Sequence, residues 1–150
     1  GIESAAEAVA ERVAAEDFAS FQLLVADRSG ARIVVHRGCL VEVMIVTESV
    51  IVLSNEHLLG ELVIPGLDEV EVPGLAVGER LDRLALLLLD EGERSGHRML
   101  KTGGEYGTVA SSLIAIGSRP EEGLIWRYAA GEPGEVPYRD YGNLRRRLGS

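Results

Sequence analysis

Near the start of the chain, apolar residues recur at helical spacing in the stretch AAEAVAERVAAED. Side chains three and four positions apart lie on the same face of a helix, so the spacing predicts an amphipathic helix that ends near Asp17. Ser4 and Glu7 have the spacing of a capping box, in which each side chain accepts a backbone hydrogen bond at the helix N-terminus. This pair predicts the N-terminal cap.

The next part of the chain has the composition of β-strands. Segments rich in β-branched and bulky apolar residues follow one another, separated only by short turns. They are residues 18–27, 31–38, 40–46 and 50–55. The pattern predicts two successive hairpins, and the fourth strand ends on Ser54 and Asn55.

Glycine and proline interrupt residues 59–79, which is typical of an irregular crossing between elements. Leu81, Leu84 and Leu88 then repeat on one helical face, which predicts a second helix. Gly92 or Gly96 is the expected end of that helix, because glycine readily adopts the backbone conformation that terminates helices.

Two further strand-like segments, 108–117 and 124–131, flank the turn sequence SRPEEG. The stretch GEPGEVPYRD after them reads as a loose, proline-containing tail. Strands that come in runs between helices, instead of alternating singly with them, indicate an α+β fold. We therefore expect antiparallel sheets with flanking helices, in a single domain over residues 1–150.

Composition narrows the classes of partner. The chain has 150 residues, of which 46% are hydrophobic, and a net charge of -9. Such a surface repels phosphate, so we expect neither a nucleic-acid nor an anionic-membrane partner. The basic run Arg145–Arg147 reads as a solvated tail. No apolar run reaches bilayer length, and Cys39 is the only cysteine, which fits a reducing, cytoplasmic location.

Few residues suggest a cofactor or a metal. The three histidines, His36, His57 and His97, lack the close spacing of a metal site, so we expect no metal. Cys39 is expected to be a buried, inert thiol. The Gly103–Gly107 segment lacks the lysine of a phosphate-binding loop, and no other cofactor motif is legible.

Three segments of the chain, in order and in approximate spacing, resemble the NRDE family, also called transport and Golgi organisation protein 2 type. FASFQLLVAD at 18–27 resembles the family's N-G-F-N-L-L-x-A-D segment. VLSN at 52–55 resembles its G-L-S-N motif, and YGTVASS at 106–112 resembles Y-G-T-R-x-S-T. The N-terminal helix is also similar to what precedes these segments in the family.

The resemblance implies part or all of an αββα N-terminal nucleophile hydrolase sandwich. It also implies that the chain is the C-terminal portion of a longer protein that hydrolyses a non-peptide C–N (amide) bond. In related acylases the nucleophile is an N-terminal cysteine, which would lie upstream of Gly1.

On this interpretation Asn55 donates a hydrogen bond to the oxyanion, and Ser54 orients it. Tyr106 and Thr108 would contact a small-molecule substrate. The alternative for Ser54 and Asn55 is that both bond their own backbone and simply begin a turn.

The chain departs from the family in ways that keep a second function open. Val109 stands where the family has arginine, and valine cannot hold a substrate carboxylate. The family's Met-Cys start and its Asn-Arg-Asp-Glu signature occur nowhere in the chain. The alternative function is a non-catalytic binding or trafficking protein on the same scaffold, which could be haem-related.

Half of a two-sheet sandwich would expose an apolar sheet face, so we expect a homo-oligomer or a missing N-terminal partner segment.

Overall fold

A computed structural model describes residues 1–54, 64–90, 100 and 108–142, and the chain divides into two compact units, Gly1–Glu61 and Leu62–Ser150. Its elements in chain order are α1 (Ile2–Ala15), β1 (Phe21–Asp27), β2 (Gly30–Arg37), β3 (Leu40–Val46), α2 (Val77–Leu87), β4 (Ser111–Ile116), a short 3-10 helix (Pro120–Glu122), β5 (Leu124–Ala129) and β6 (Arg139–Asp140). The described strands form two three-stranded antiparallel sheets, so the α+β expectation is confirmed.

The first unit is a sheet in the order β1-β2-β3, against which α1 packs through contacts mainly with β2 and β3. The central strand β2 carries the core, because Ile33 and Val34 point to opposite faces and both are fully buried. Ala6 is the fully buried residue of α1. An ion pair of 3.1 Å between Glu3 and Arg32 joins the first turn of the helix to the sheet.

The predicted cap of α1 is wrong, although the helix itself is confirmed. The helix begins at Ile2, and Gly1 occupies the cap position without a side-chain hydrogen bond. A capping side chain must precede the first helical residue, so Ser4, already inside the first turn, cannot cap this helix.

The first hairpin is confirmed, and its turn is fixed by one carboxylate. The side chain of Asp27 accepts hydrogen bonds from the Ser29 amide at 2.7 Å and from the Ser29 hydroxyl at 2.6 Å. This short-range bonding holds the two-residue turn and thereby sets the pairing of Asp27 with Gly30.

The predicted fourth strand does not form over its described part. Residues 51–54 are half-buried but have no regular secondary structure. The chain bends after β3, where the amide of Thr47 donates to the carboxylate of Glu48 at 3.0 Å. A short apolar run can be buried without joining a ladder, and apolar content alone therefore mispredicted a strand here.

The second unit contains α2 and a sheet in the order β4-β5-β6. Leu81 of α2 is 1% exposed, and Asp82 forms an ion pair of 2.6 Å with Arg127 of β5. Arg83 also donates to the backbone oxygen of Glu69 at 2.7 Å, which ties the preceding loop to the helix.

Two boundaries in this unit differ from expectation. Helix α2 ends at Leu87, before Gly92 and Gly96, because the next amides form tighter i to i+3 bonds that close the helix. The supposed tail contains β6, which pairs with β5 through Arg127–Asp140 and Tyr128–Arg139. A two-residue strand is stabilised by its neighbour and has no sequence signal of its own.

Two leucines of α2 test this packing. Leu81→Ala should lower the free energy of unfolding by about 2 to 5 kcal/mol, because it leaves a cavity in the core. Leu86 is 67% exposed, so Leu86→Ala in the same helix should change it by less than about 0.5 kcal/mol. Urea unfolding of both variants measures the difference, and equal losses would contradict the described orientation of α2.

Candidate functional site

The four predicted site residues are only partly covered by the described structure. Ser54 closes the half-buried segment 51–54 of the first unit, and Thr108 is half-buried ahead of β4 in the second unit. Asn55 and Tyr106 lie outside the described residues. The roles assigned to all four therefore stay predictions.

The backbone of Ser54 is anchored by a side chain from β1. The amide nitrogen Nε2 of Gln22 donates to the carbonyl oxygen of Ser54 at 3.0 Å. The bond restrains the orientation of the Ser54 carbonyl group. It also brings together two of the three segments that resemble the family, although they are 32 residues apart.

The Gln22 contact follows from the register of the first sheet. Gln22 lies opposite Val35, while Phe21 lies opposite His36, so Gln22 and His36 occupy opposite faces. The face of Gln22 therefore meets the 51–54 segment, and the face of His36 forms a separate cluster.

His36 is a satisfied core histidine. It is 5% exposed, and its Nδ1 lies 3.2 Å from the carbonyl oxygen of Ala19. A carbonyl can only accept, so Nδ1 carries the proton of this bond. The ring packs at 5.7 Å from the ring of Phe21. These contacts assign His36 a structural role.

Cys39 is exposed, which contradicts the expected burial. It lies in the turn between β2 and β3, directly after Gly38, whose φ is 59°. A left-handed glycine reverses the chain at the end of the sheet, and the residue that follows it lies at the rim instead of in the core. Cysteine is usually buried, but the position of this turn leaves the Cys39 side chain exposed.

Three exposed carboxyl groups have lowered pKa values. The hydroxyl and then the amide of Ser29 lower the pKa of Asp27. The pKa of Glu48 is lowered by its own amide and by that of Thr47. Hydrogen bonds from the amide and then the guanidinium of Arg119 lower the pKa of Glu122. Each group is held ionised, which is opposite to what a general acid needs at neutral pH.

The hydroxyl groups of both serines of β4 have aromatic partners. The hydroxyl of Ser111 lies 2.7 Å from the hydroxyl of Tyr138. The indole Nε1 of Trp126 donates to the hydroxyl of Ser112 at 3.5 Å. Neither of these bonds involves a histidine, so neither supplies the base of a hydrolase triad.

Sequence reasoning missed an aromatic cluster on the second sheet. Trp126 and Tyr128 alternate along β5 and share one face, and the ring of Tyr141 lies 5.5 Å and 6.2 Å from their rings. Ile114, opposite Trp126 on the same face, is 50% exposed. The available signal was the W-x-Y spacing in LIWRYA, because residues two apart in a strand share a face.

The part of the chain that the structure describes contains no group of three or more His, Cys, Asp or Glu side chains able to hold a metal ion. No helix in that part of the chain is long and apolar enough to cross a membrane. Comparison with known proteins gave no significant match to a family model, to a curated protein or to a solved structure.

The anchor at Ser54 can be tested by removing its donor. Gln22→Leu keeps much of the side-chain volume but loses the amide, and it should lower the free energy of unfolding by about 1 kcal/mol. It should also shift the carbonyl ¹³C resonance of Ser54. Glu42→Leu is the matched control, because Glu42 lies in the same row across the sheet, beyond Val35. An unchanged Ser54 resonance in Gln22→Leu would contradict the anchor.

Proposed function

We propose that this chain is the C-terminal portion of an NRDE-like homologue of the N-terminal nucleophile hydrolases, and that it contributes to hydrolysis of a non-peptide C–N (amide) bond. The observation that carries the proposal is the 3.0 Å hydrogen bond from Gln22 to the Ser54 carbonyl. It joins the FQLLVAD and VLSN segments in space, and the resemblance rests on both segments. A chance likeness of two short motifs would not require them to be in contact.

In this mechanism the nucleophile is a cysteine supplied by a segment N-terminal to Gly1. Its sulfur attacks the carbonyl carbon of the amide while its own α-amino group accepts the thiol proton. Collapse of the tetrahedral intermediate breaks the C–N bond, and the leaving amine takes that proton. Water then hydrolyses the thioester and releases the acid.

The contribution of this chain is electrostatic. The carboxamide of Asn55 donates to the oxyanion of the intermediate, and Ser54 orients it. A donor of this kind is useful only if it is held in place before the reaction, and the Gln22 bond restrains the carbonyl of Ser54, the residue directly before it. Tyr106 and Thr108 contact the small-molecule substrate. The mechanism uses no metal or cofactor.

The element types of both units support the fold that this proposal requires. Over the residues that the structure describes, each unit contains one α-helix and one three-stranded antiparallel sheet. Two sheets and two helices are the components of an αββα sandwich. A thiol nucleophile also suits the reducing, cytoplasmic setting that we propose for the protein.

A second function is favoured by a different observation. Val109, at the position of the family's arginine, is 81% exposed, so this surface position presents an apolar side chain where the family presents a cation. On that basis we propose as the alternative a non-catalytic binding or trafficking protein, which would take an apolar, haem-like ligand without turning it over.

An activity assay of the protein expressed from its complete coding sequence distinguishes the two proposed functions. With a panel of N-acyl amides, the wild type should release amine. Asn55→Ala should lower kcat about 10²- to 10³-fold, as expected for loss of one oxyanion donor. Asn143→Ala is the control, since it removes the other asparagine of the chain.

Equal activity of the two asparagine variants would remove Asn55 from the mechanism. Absence of amine release from every amide, together with saturable binding of haem in a spectroscopic titration, would replace the hydrolase proposal by the binding proposal.

A further inference from the structure

Tyr138 lies in the segment whose composition resembles a loose tail, yet backbone hydrogen bonds hold the chain on both sides of it. The next residue, Arg139, begins β6 and pairs with β5. Before it, the amides of Glu135 and Val136 both donate to the carbonyl oxygen of Glu132, at 3.2 Å each. The position of Tyr138 in the second unit is therefore fixed by the main chain.

Tyr138 and Ser111 lie in one row across the second sheet. Ser111 of β4 opposes Ala129 of β5. In the antiparallel register of β5 with β6, Tyr128 opposes Arg139, and one step further along both strands brings Tyr138 next to Ala129. Side chains in one row share a face of the sheet, so the side chains of Tyr138 and Ser111 are on the same side.

The small side chain of Ala129 lets Tyr138 reach across β5. Neighbouring strands are about 4.8 Å apart, so the backbones of β4 and β6 are separated by roughly 10 Å. The side chains of Tyr138 and Ser111 close this gap with a distance of 2.7 Å between their hydroxyl oxygens. Ala129, between them, is 0% exposed, as a residue beneath such a bridge should be.

The bridge acts at the end of a strand. Ser111 is the first residue of β4, and strand ends fray because ladder hydrogen bonds hold them from one direction only. A hydroxyl bond from another strand restrains this end. Thr108 is the third residue before Ser111 and lies at most ~11 Å from it along the chain, so a restraint on Ser111 also limits where Thr108 lies.

We propose that Tyr138 is a positioning residue, which fixes the start of β4 through Ser111 and thereby places Thr108 for contact with the substrate. This assignment rests on the proposed function, which gives Thr108 that contact. Tyr138 acts through Ser111 and is not itself a catalytic residue. Because Thr108 contacts the substrate and not the oxyanion, loss of the restraint weakens binding of the ground state and the transition state alike.

Tyr138→Phe tests the role of the hydroxyl, because phenylalanine keeps the ring. In the protein expressed from its complete coding sequence, this variant should raise KM for the amide about 3- to 10-fold, as for loss of one hydrogen bond, with kcat within about twofold of the wild type. A purely structural role would lower the amount of folded protein and leave KM unchanged. An unchanged KM would therefore overturn the proposal.

Two serine variants complete the test. Ser111→Ala removes the other partner of the same bond and should raise KM equally, and its combination with Tyr138→Phe should resemble either single variant. Ser112→Ala is the matched control, because its hydroxyl lies on the opposite face and bonds to Trp126, and it should leave KM unchanged. Effects that multiply in the double variant, or a Ser112→Ala effect as large as that of Ser111→Ala, would contradict the proposal.

A nuclear magnetic resonance measurement separates failure of this proposal from failure of the proposed function. The methyl ¹³C resonance of Thr108 should shift in Tyr138→Phe, which retains the aromatic ring, and should not shift in Ser112→Ala. If the wild type releases no amine but Thr108 shifts, the hydrolase proposal is wrong and the positioning of Thr108 by Tyr138 stands. An unshifted Thr108 resonance in Tyr138→Phe overturns the positioning role whether or not the amide is hydrolysed.

Discussion

The first unit depends on the pairing of β2 with a strand on each side. Because β2 is central, its residues Ile33, Val34, Val35 and His36 are buried on both faces, and the two turns that flank it fix which side chains share a face. A shift of one residue would exchange the faces of an entire strand. Gln22 would then point away from Ser54, so both the core and the anchor at Ser54 follow from this register.

The Ser54 anchor connects fold and proposed chemistry. An oxyanion donor lowers a barrier only when its dipole is oriented before charge develops, because reorientation during the reaction would cost what the hydrogen bond gains. In the described structure, a side chain of β1 holds the carbonyl of Ser54, the residue directly before the proposed donor. The carboxylates of Asp27, Glu48 and Glu122, kept ionised by turn hydrogen bonds, serve the shape of loops instead.

The 51–54 segment lies against the face of the first sheet that carries Gln22, because the Gln22 side chain donates to the Ser54 carbonyl. The opposite face carries His36 and its contact with Phe21. The aromatic cluster of Trp126, Tyr128 and Tyr141 on the second sheet is a separate feature, with its own partly exposed face.

The sequence by itself determined the local elements: periodicity placed α1, α2, the first three strands and the pair β4–β5 close to their observed positions. Through the family resemblance, the sequence also suggested Ser54 and Asn55 as candidate site residues. Tertiary structure alone decided that 51–54 is not a strand, that β6 exists, that Cys39 is exposed and that Gln22 anchors Ser54. Each of these depends on partners distant in sequence or on a position at a sheet rim, whereas helical and strand periodicity reports only which residues of one segment share a face.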